Sequence, residues 1–147
     1  MIRKLSFIFI GLAVLVVLSP MFVYWWGLSN LETEPVPSKI ELTSDQEQAI
    51  WRKEKEVGTP NIKSITPYGY IFYFACNTDK GLYATECMES YPGLRVSTLA
   101  VRRQVGKQVT GKGNGVWQVT WLAYTIWVTQ HWDIHQVLAT YHEAYNT

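Results

Sequence analysis

Glu86 and Glu89 are the acidic residues best placed for acid–base chemistry. They are three residues apart, a spacing that puts two side chains on one face of a helix. Enzymes that transfer or hydrolyse glycans use two carboxylates about 5–10 Å apart. The alternative is that both are surface acids, because they flank Cys87 in a predicted loop that also contains Met88 and Ser90. Glu143, near the C-terminus, is a further candidate with the same alternative.

A second chemical feature is a block of positive charge. Between Ser90 and Trp132 the chain has no acidic residue. Such a block attracts anions, for example lipid headgroups, a pyrophosphate or an acidic protein. The alternative is a solvated face without a ligand. The block contains five basic residues, namely Arg95, Arg102, Arg103, Lys107 and Lys112.

The histidines and tryptophans suggest two other kinds of site. His131, His135 and His142 do not supply the ligand number and spacing of a zinc site, so no metal is expected. The chain also lacks a dinucleotide or phosphate-loop fingerprint, so no cofactor is expected. Four tryptophans could stack on sugar rings, but core packing is the more typical role of apolar helical aromatics. These are Trp117, Trp121, Trp127 and Trp132.

The N-terminus predicts a membrane anchor. Residues 5–28 are uncharged and long enough to cross a hydrocarbon core of about 30 Å. Arg3 and Lys4 precede this run and Glu32 follows it, so the positive-inside rule places the N-terminus in the cytoplasm and the rest outside. Nucleic acid is therefore not an expected partner, whereas the lipid bilayer is. The alternative is a cleaved signal peptide, although such segments have shorter apolar regions.

Cys76 and Cys87 are the two cysteines of the chain, with ten residues between them. In an oxidising compartment an even number of cysteines indicates a disulfide, which here would stabilise the fold by about 2–3 kcal/mol. Two separate buried thiols are the alternative.

The predicted domains are an anchor over 1–28, a linker over 29–42 and an extracytoplasmic helical domain over 43–147. In the domain, Ser44 and Glu47 predict a capping box for a helix over 45–57. The aromatic run 68–76 predicts a strand. Ser97 predicts the N-cap of a helix over 98–105.

The C-terminal part predicts a helical hairpin. Residues 107–115 are rich in glycine and predict a mobile connection. Residues 116–128 are apolar on nearly every face and predict a buried helix. Asp133 and Gln136 predict the cap of a last helix, and a short turn between the two helices predicts that they pack on each other. The last helix has an apolar stripe of Ile134, Val137, Leu138 and Tyr141.

These last helices carry a family resemblance. The segment 116–146 resembles the closing helices of the family 51 peptidoglycan glycosyltransferases, which end in the motif I-L-x-x-Y-L-N-x-x-Y-F-G. Val137, Leu138 and Tyr141 match its first positions, and Tyr145 stands one residue closer than the second tyrosine. Upstream, the residues from Tyr91 to Leu94 resemble the family's His-x-Gly-Val turn. The resemblance covers about 55 residues. It implies a lysozyme-like, mostly helical domain on the outer face of a bacterial inner membrane.

The catalytic motifs of that family have no counterpart here. Its catalytic glutamate stands nine residues before the turn glycine, and Ala84 occupies that position before Gly93. The Thr-x-Thr-Gln-Gln block and the second catalytic glutamate are missing as well. The resemblance therefore implies a truncated or non-catalytic relative.

The sequence predicts a mainly α fold with one transmembrane helix and a short strand, and it supports two functions. The first is a non-enzymatic envelope protein that binds or regulates a cell-wall component or a protein partner. The second is a minimal glycosyltransferase acting on a lipid-linked precursor, in which the basic block would hold the pyrophosphate and Glu86 would be the acid or base. A carboxylate pair in a cleft beside Arg102 and Arg103 would distinguish the second from the first.

Overall fold

The computed structural model describes residues 2–81 and 84–146, and within these ranges the regular structure is entirely helical. Side chains are described from residue 11 to residue 145, outside the gap. The helices are α1 (Ile2–Leu28), α2 (Ser44–Lys53), α3 (Pro67–Lys80), α4 (Thr85–Ser90), α5 (Leu94–Gln108), α6 (Asn114–His131) and α7 (Ile134–Asn146).

Helix α5 is the centre of the domain. It packs against α6 on one side and α7 on the other, and α2 packs against α7. Trp51 of α2 and Val101 of α5 are fully buried in the resulting core, together with Leu138 of α7. Since α6 and α7 both pack on α5 rather than along each other, the predicted hairpin was wrong. A short turn allows two helices to pair, but here each of them packs on α5 instead.

Helix α1 is long and apolar enough to cross a membrane over Gly11–Leu28. It is not isolated from the rest of the chain, because its C-terminal half packs against α6. The approach is closest at Gly27, where an added Cβ would lie 2.5 Å from the Cβ of Ala123. A side chain at this position would push the two helices apart. At Gly11, nearer the N-terminus of α1, an added Cβ would have nothing within 4 Å.

The predicted strand is a helix instead. Residues 68–76 lie in α3, so the strand prediction was wrong. Thr66 caps this helix, because its hydroxyl oxygen accepts a hydrogen bond from the Gly69 N–H at 3.1 Å, and Pro67 occupies the first turn. Aromatic residues favour strands only weakly, and the packing of α3 against α1 overrides that preference. The disulfide prediction is confirmed, since Cys76 and Cys87 are bonded with their Cα atoms 5.9 Å apart.

Two predicted helix starts are displaced. The capping box of α2 uses Thr43 and Gln46, one residue before the predicted pair, because the sequence offers the same spacing in both registers. Helix α5 begins after Gly93, whose φ of 78° is left-handed, and Ser97 lies inside the helix with its hydroxyl donating to the Gly93 carbonyl at 2.7 Å. The predicted N-cap at Ser97 was therefore wrong.

The predicted C-terminal helices are confirmed. Helix α6 contains the predicted buried helix 116–128 and extends it at both ends. Asp133 and Gln136 form the predicted reciprocal cap, with the Gln136 N–H donating to the Asp133 carboxylate at 2.8 Å. The connection between α5 and α6 is shorter than predicted and spans only 109–113, because α5 continues to Gln108.

Residues 29–43, which contain the predicted linker, run without helix along α5 and α7. Gln104 pairs with the backbone of Val36, accepting from its N–H at 3.0 Å and donating to its carbonyl at 2.9 Å. Gln108 makes the same pair of bonds with Thr33, at 3.3 and 3.0 Å. The Ser38 N–H donates to the Thr140 hydroxyl at 2.9 Å. We call residues 33–40 the strap, because these bonds fasten them to the domain.

Candidate functional site

The predicted carboxylate pair does not lie in a cleft with the arginines. Glu86 lies on α4, is exposed, and forms an ion pair with Lys80 of α3. Glu89 is also exposed, at the end of the same short helix. Neither residue lines the groove that contains Arg103, which Glu143 does line. The structure thus brings one of the three candidate acids to the basic residues.

The five predicted basic residues have different surroundings. Arg95 is half-buried and its Nε donates to Glu54 at 3.2 Å. The guanidinium of Arg102 lies over the ring of Trp121, 5.4 Å from its centroid, and near that of Trp117. The Nζ of Lys112 donates to the Asn30 carbonyl at 2.9 Å. Only Arg103 and Lys107 face a common groove.

This groove, which we call the basic groove, lies between the strap, α5 and α7. Its volume is about 810 Å³ and it is open to solvent. The strap contributes Lys39, α5 contributes Arg103 and Lys107, and α7 contributes Glu143. Each of these four residues is exposed. The groove therefore gathers three cations and one carboxylate from parts of the chain that are far apart in sequence.

The basic groove keeps much of its bonding capacity for a ligand. The side chains of Lys39 and Lys107 make no hydrogen bond or ion pair with another residue that the structure describes. Arg103 uses Nη1 to donate to the Ala144 carbonyl at 3.2 Å, which holds the guanidinium at the C-terminal end of α7. A guanidinium has five N–H donors, so the remaining donors can bind an anion.

A second group of charged residues is buried at the start of α5, and we call it the buried cluster. Glu54 accepts a hydrogen bond from the Tyr141 hydroxyl with one carboxylate oxygen and from Arg95 with the other. Glu56 accepts from the Gly93 N–H at 3.3 Å. Both glutamates are buried, at 8% and 7% exposure. A buried carboxylate is stable only when it is bonded in this way, so the cluster fixes the N-terminal end of α5 to α2 and α7.

Burial is the main cause of the pKa shifts in the buried cluster. Burial raises the pKa of Glu56, and the N–H groups of Gly93, Val96 and Arg95 oppose this effect only in part. Burial and the bond to Glu54 raise the pKa of the Tyr141 hydroxyl, which stays protonated as the donor. Neither Glu54 nor Glu56 lines the basic groove.

The three histidines lie in three different environments. His135 bonds to the buried Glu47 with Nδ1 to Oε1 at 2.6 Å, and this bond raises the pKa of His135. His131 stacks on Trp127 with ring centroids 4.3 Å apart. His142 lies half-buried on α7. Among the residues that the structure describes there is no group of three or more His, Cys, Asp or Glu that could hold a metal ion.

The tryptophans of α6 and the following turn contribute mainly to packing. Trp132 is buried in the core, and Trp117, Trp121 and Trp127 are half-buried against it. The indole N–H of Trp121 donates to the Thr98 carbonyl at 2.7 Å. The guanidinium of Arg102 lies over the rings of Trp117 and Trp121, and His131 stacks on Trp127.

Sequence reasoning missed the buried cluster and Lys39. A helix over 45–57 would put Glu56 on the solvated face, whereas Glu54 lies on the same helix face as the buried Glu47, Ile50 and Trp51 and could have been placed inside from its spacing. The helix ends at Lys53 instead, and Lys55 takes a left-handed φ of 60°, so the next turns point inward. Lys39 was missed because it lies in the predicted linker.

Comparison with known proteins finds no family model, no curated protein and no solved structure that matches this chain.

Proposed function

We propose that this chain is a single-pass inner-membrane protein whose extracytoplasmic, lysozyme-like domain binds an anionic cell-wall component without transforming it. The observation that carries the proposal is the basic groove, with Lys39, Arg103 and Lys107 facing one solvent-filled space. The ligand chemistry that fits best is a pyrophosphate, as found on lipid-linked precursors of the cell wall.

The charges of the basic groove suit a compact anion. A guanidinium offers parallel N–H groups that match two phosphate oxygens, and an ammonium adds a point charge that can follow the anion. Two lysines and one arginine against the single carboxylate of Glu143 leave the lining net positive. Since the lining is open to water, the attraction should weaken as salt is added.

The location of the groove also favours a ligand that is held at a membrane. Gln108 of α5 bonds to Thr33, which is five residues after the end of α1 at Leu28. Five residues of chain reach at most about 18 Å. The Lys107 end of the groove therefore lies close to the outer end of the apolar helix, where the headgroup of an embedded lipid would be found.

The orientation rests on charge at the two ends of α1. Arg3 and Lys4 precede the apolar run and the first charges after it are Glu32 and Glu34. The positive-inside rule then puts the domain and its disulfide outside the cytoplasm, in the compartment where a disulfide persists. Trp25 and Trp26 are exposed at the outer end of α1, as expected for an interfacial belt.

A non-catalytic role is favoured over a minimal glycosyltransferase. Glycan transfer needs two carboxylates on either side of the reacting bond, and the basic groove has only Glu143. Glu86 is paired with Lys80 on another part of the surface, and Glu54 is occupied by Arg95 and Tyr141.

The experiment combines a binding titration with an activity assay on the full-length protein in detergent micelles. Inorganic pyrophosphate is the soluble probe, and a lipid-linked disaccharide precursor is the substrate in the activity assay. We expect saturable pyrophosphate binding that weakens with salt, and no glycan polymer. The variant Arg103→Gln should weaken binding about tenfold, the equivalent of about 1.4 kcal/mol.

Arg102→Gln is the matched control, because Arg102 is the neighbouring arginine but stacks on Trp121 outside the groove. Equal loss in both variants would show that binding depends only on overall charge and would contradict the proposal. Polymer formation that Glu143→Gln or Glu86→Gln abolishes would establish an enzyme. If neither binding nor polymer formation is observed, the proposal is wrong, and the domain is then expected to bind a protein partner.

A further inference from the structure

The exposed face of α3 is strongly apolar. Ile71, Phe72 and Phe74 are exposed by 51%, 73% and 65%. Contiguous apolar groups of this kind are rare on surfaces that face water and mark sites of contact with another apolar phase or molecule. The covered face of the same helix carries Tyr70, Tyr73 and the buried Asn77, whose side-chain amide donates to the Tyr73 carbonyl at 3.1 Å.

This arrangement is the reverse of a helix that packs on a water-soluble domain. Such a helix buries its apolar side chains and exposes its polar ones. In α3 the phenylalanines point outward, and tyrosine and asparagine point inward. Water is therefore an unfavourable surrounding for the outer face, whereas the acyl chains of a bilayer are a favourable one.

The N-terminal half of α3 contacts the apolar span of α1. The Tyr68 hydroxyl donates to the Val17 carbonyl at 2.7 Å, and Val17 lies within the apolar span Gly11–Leu28. Along α1, Val17 is eight residues before Trp25, which is about 12 Å at the rise of an α-helix. Pro67, Tyr70 and Ile71 also line a narrow apolar cavity with residues of α1, including Ser19, Pro20 and Val23.

We propose that α3 is a second membrane-inserted element, seated in the outer leaflet beside α1 with Ile71, Phe72 and Phe74 in contact with lipid acyl chains. The inference rests on the proposed membrane span of α1 and is independent of the basic groove. The polar end of the helix, Asp79 and Lys80, fits the headgroup region, and the Cys76–Cys87 disulfide ties this end to α4.

The test measures lipid contact residue by residue in the full-length protein, reconstituted in phospholipid vesicles. Single cysteines are introduced by Phe72→Cys and Phe74→Cys and labelled with an environment-sensitive dye, while the native cysteines stay protected in their disulfide. Leu15→Cys, at an exposed position of α1, is the control for the membrane span. Thr59→Cys, at an exposed position between α2 and α3, is the aqueous control.

We expect the labels at 72 and 74 to be quenched by acyl-chain-labelled phospholipids about as strongly as the label at 15, and the label at 59 to be unaffected. Quenching at 15 without quenching at 72 and 74 would overturn the inference alone. Loss of quenching at 15 as well would overturn the membrane span. Shielding of 72 and 74 that disappears as the protein is diluted in lipid would identify a second copy as the occupant and would also overturn the inference.

Discussion

The buried cluster and the basic groove both draw an arginine from α5, and they use it differently. In the cluster, Arg95 is bonded to Glu54, which is also bonded to Tyr141, so the charge of Arg95 is matched by that of Glu54 inside the fold. In the groove, two turns farther along the same helix, Arg103 and Lys107 face solvent with Lys39. Net charge along a sequence therefore does not reveal a binding site. What matters is whether the fold already supplies the counter-charge.

The largest expected effect comes from breaking the buried cluster. Glu54→Ala leaves Arg95 and the Tyr141 hydroxyl without their shared acceptor, which should lower the free energy of unfolding by about 3 kcal/mol. Chemical denaturation followed by tryptophan fluorescence measures the change. Glu143→Ala removes an exposed carboxylate of the groove and should leave stability nearly unchanged. Similar losses in both variants would erase the distinction between the two regions.

The strap provides the next effect. Gln104→Ala together with Gln108→Ala removes four hydrogen bonds between α5 and the strap. Each such bond contributes about 1 kcal/mol at most, and less where it is exposed, so we expect a loss of about 1–2 kcal/mol in total. Pyrophosphate affinity should fall as well, because only the bond between Ser38 and Thr140 then fastens the part of the strap that carries Lys39. Unchanged affinity would show that the glutamine bonds do not position Lys39 for binding.

We expect Glu56 to make the stability of the protein depend on pH. Its pKa is raised from the ordinary value of 4.5, so the folded state binds the proton more tightly than the unfolded state. The contribution of Glu56 to stability is therefore greatest below pH 4.5 and falls as pH rises from 4.5 through the raised pKa. Glu56→Gln should remove this fall while keeping an acceptor for the Gly93 N–H. Denaturation curves at several pH values test this, and an unaltered pH profile would contradict it.

The smallest expected effect is that of His135. Its pKa is raised from 6.5 by Glu47, so the stability contributed by this pair is complete below pH 6.5 and is lost as pH rises through the raised pKa. The His135 side chain is 73% exposed, so solvent screens the pair strongly. His135→Asn should flatten this part of the profile slightly. A change that begins near pH 4.5 instead would belong to Glu56.

Local signals predicted those parts of the molecule that depend on neighbouring residues. The cap of α7 at Asp133 and Gln136 and its buried residues Val137 and Leu138 follow from spacing within one helix. The disulfide followed from there being two cysteines in a segment expected to be exported.

Long-range contacts account for what could not be predicted. The groove joins Lys39, Arg103 and Glu143, and no local pattern relates residues so far apart. Helix α3 was taken for a strand because aromatic runs favour strands, whereas its conformation depends on Thr66, Pro67 and the neighbouring α1. The inward position of Glu56 depends on the end of α2 at Lys53 and on the left-handed φ of Lys55, a conformation that sequence signals assign to glycine.

The most direct test of the division between fold and ligand binding measures two quantities on the same preparations of two variants. For Lys107→Gln and Arg95→Gln, pyrophosphate affinity and the free energy of unfolding are determined side by side. We predict that Lys107→Gln weakens binding about tenfold, equivalent to about 1.4 kcal/mol, with stability unchanged. We predict that Arg95→Gln lowers stability by about 2 kcal/mol, because it leaves Glu54 buried without its cation. Wild-type affinity in Lys107→Gln, or wild-type stability in Arg95→Gln, would contradict this account.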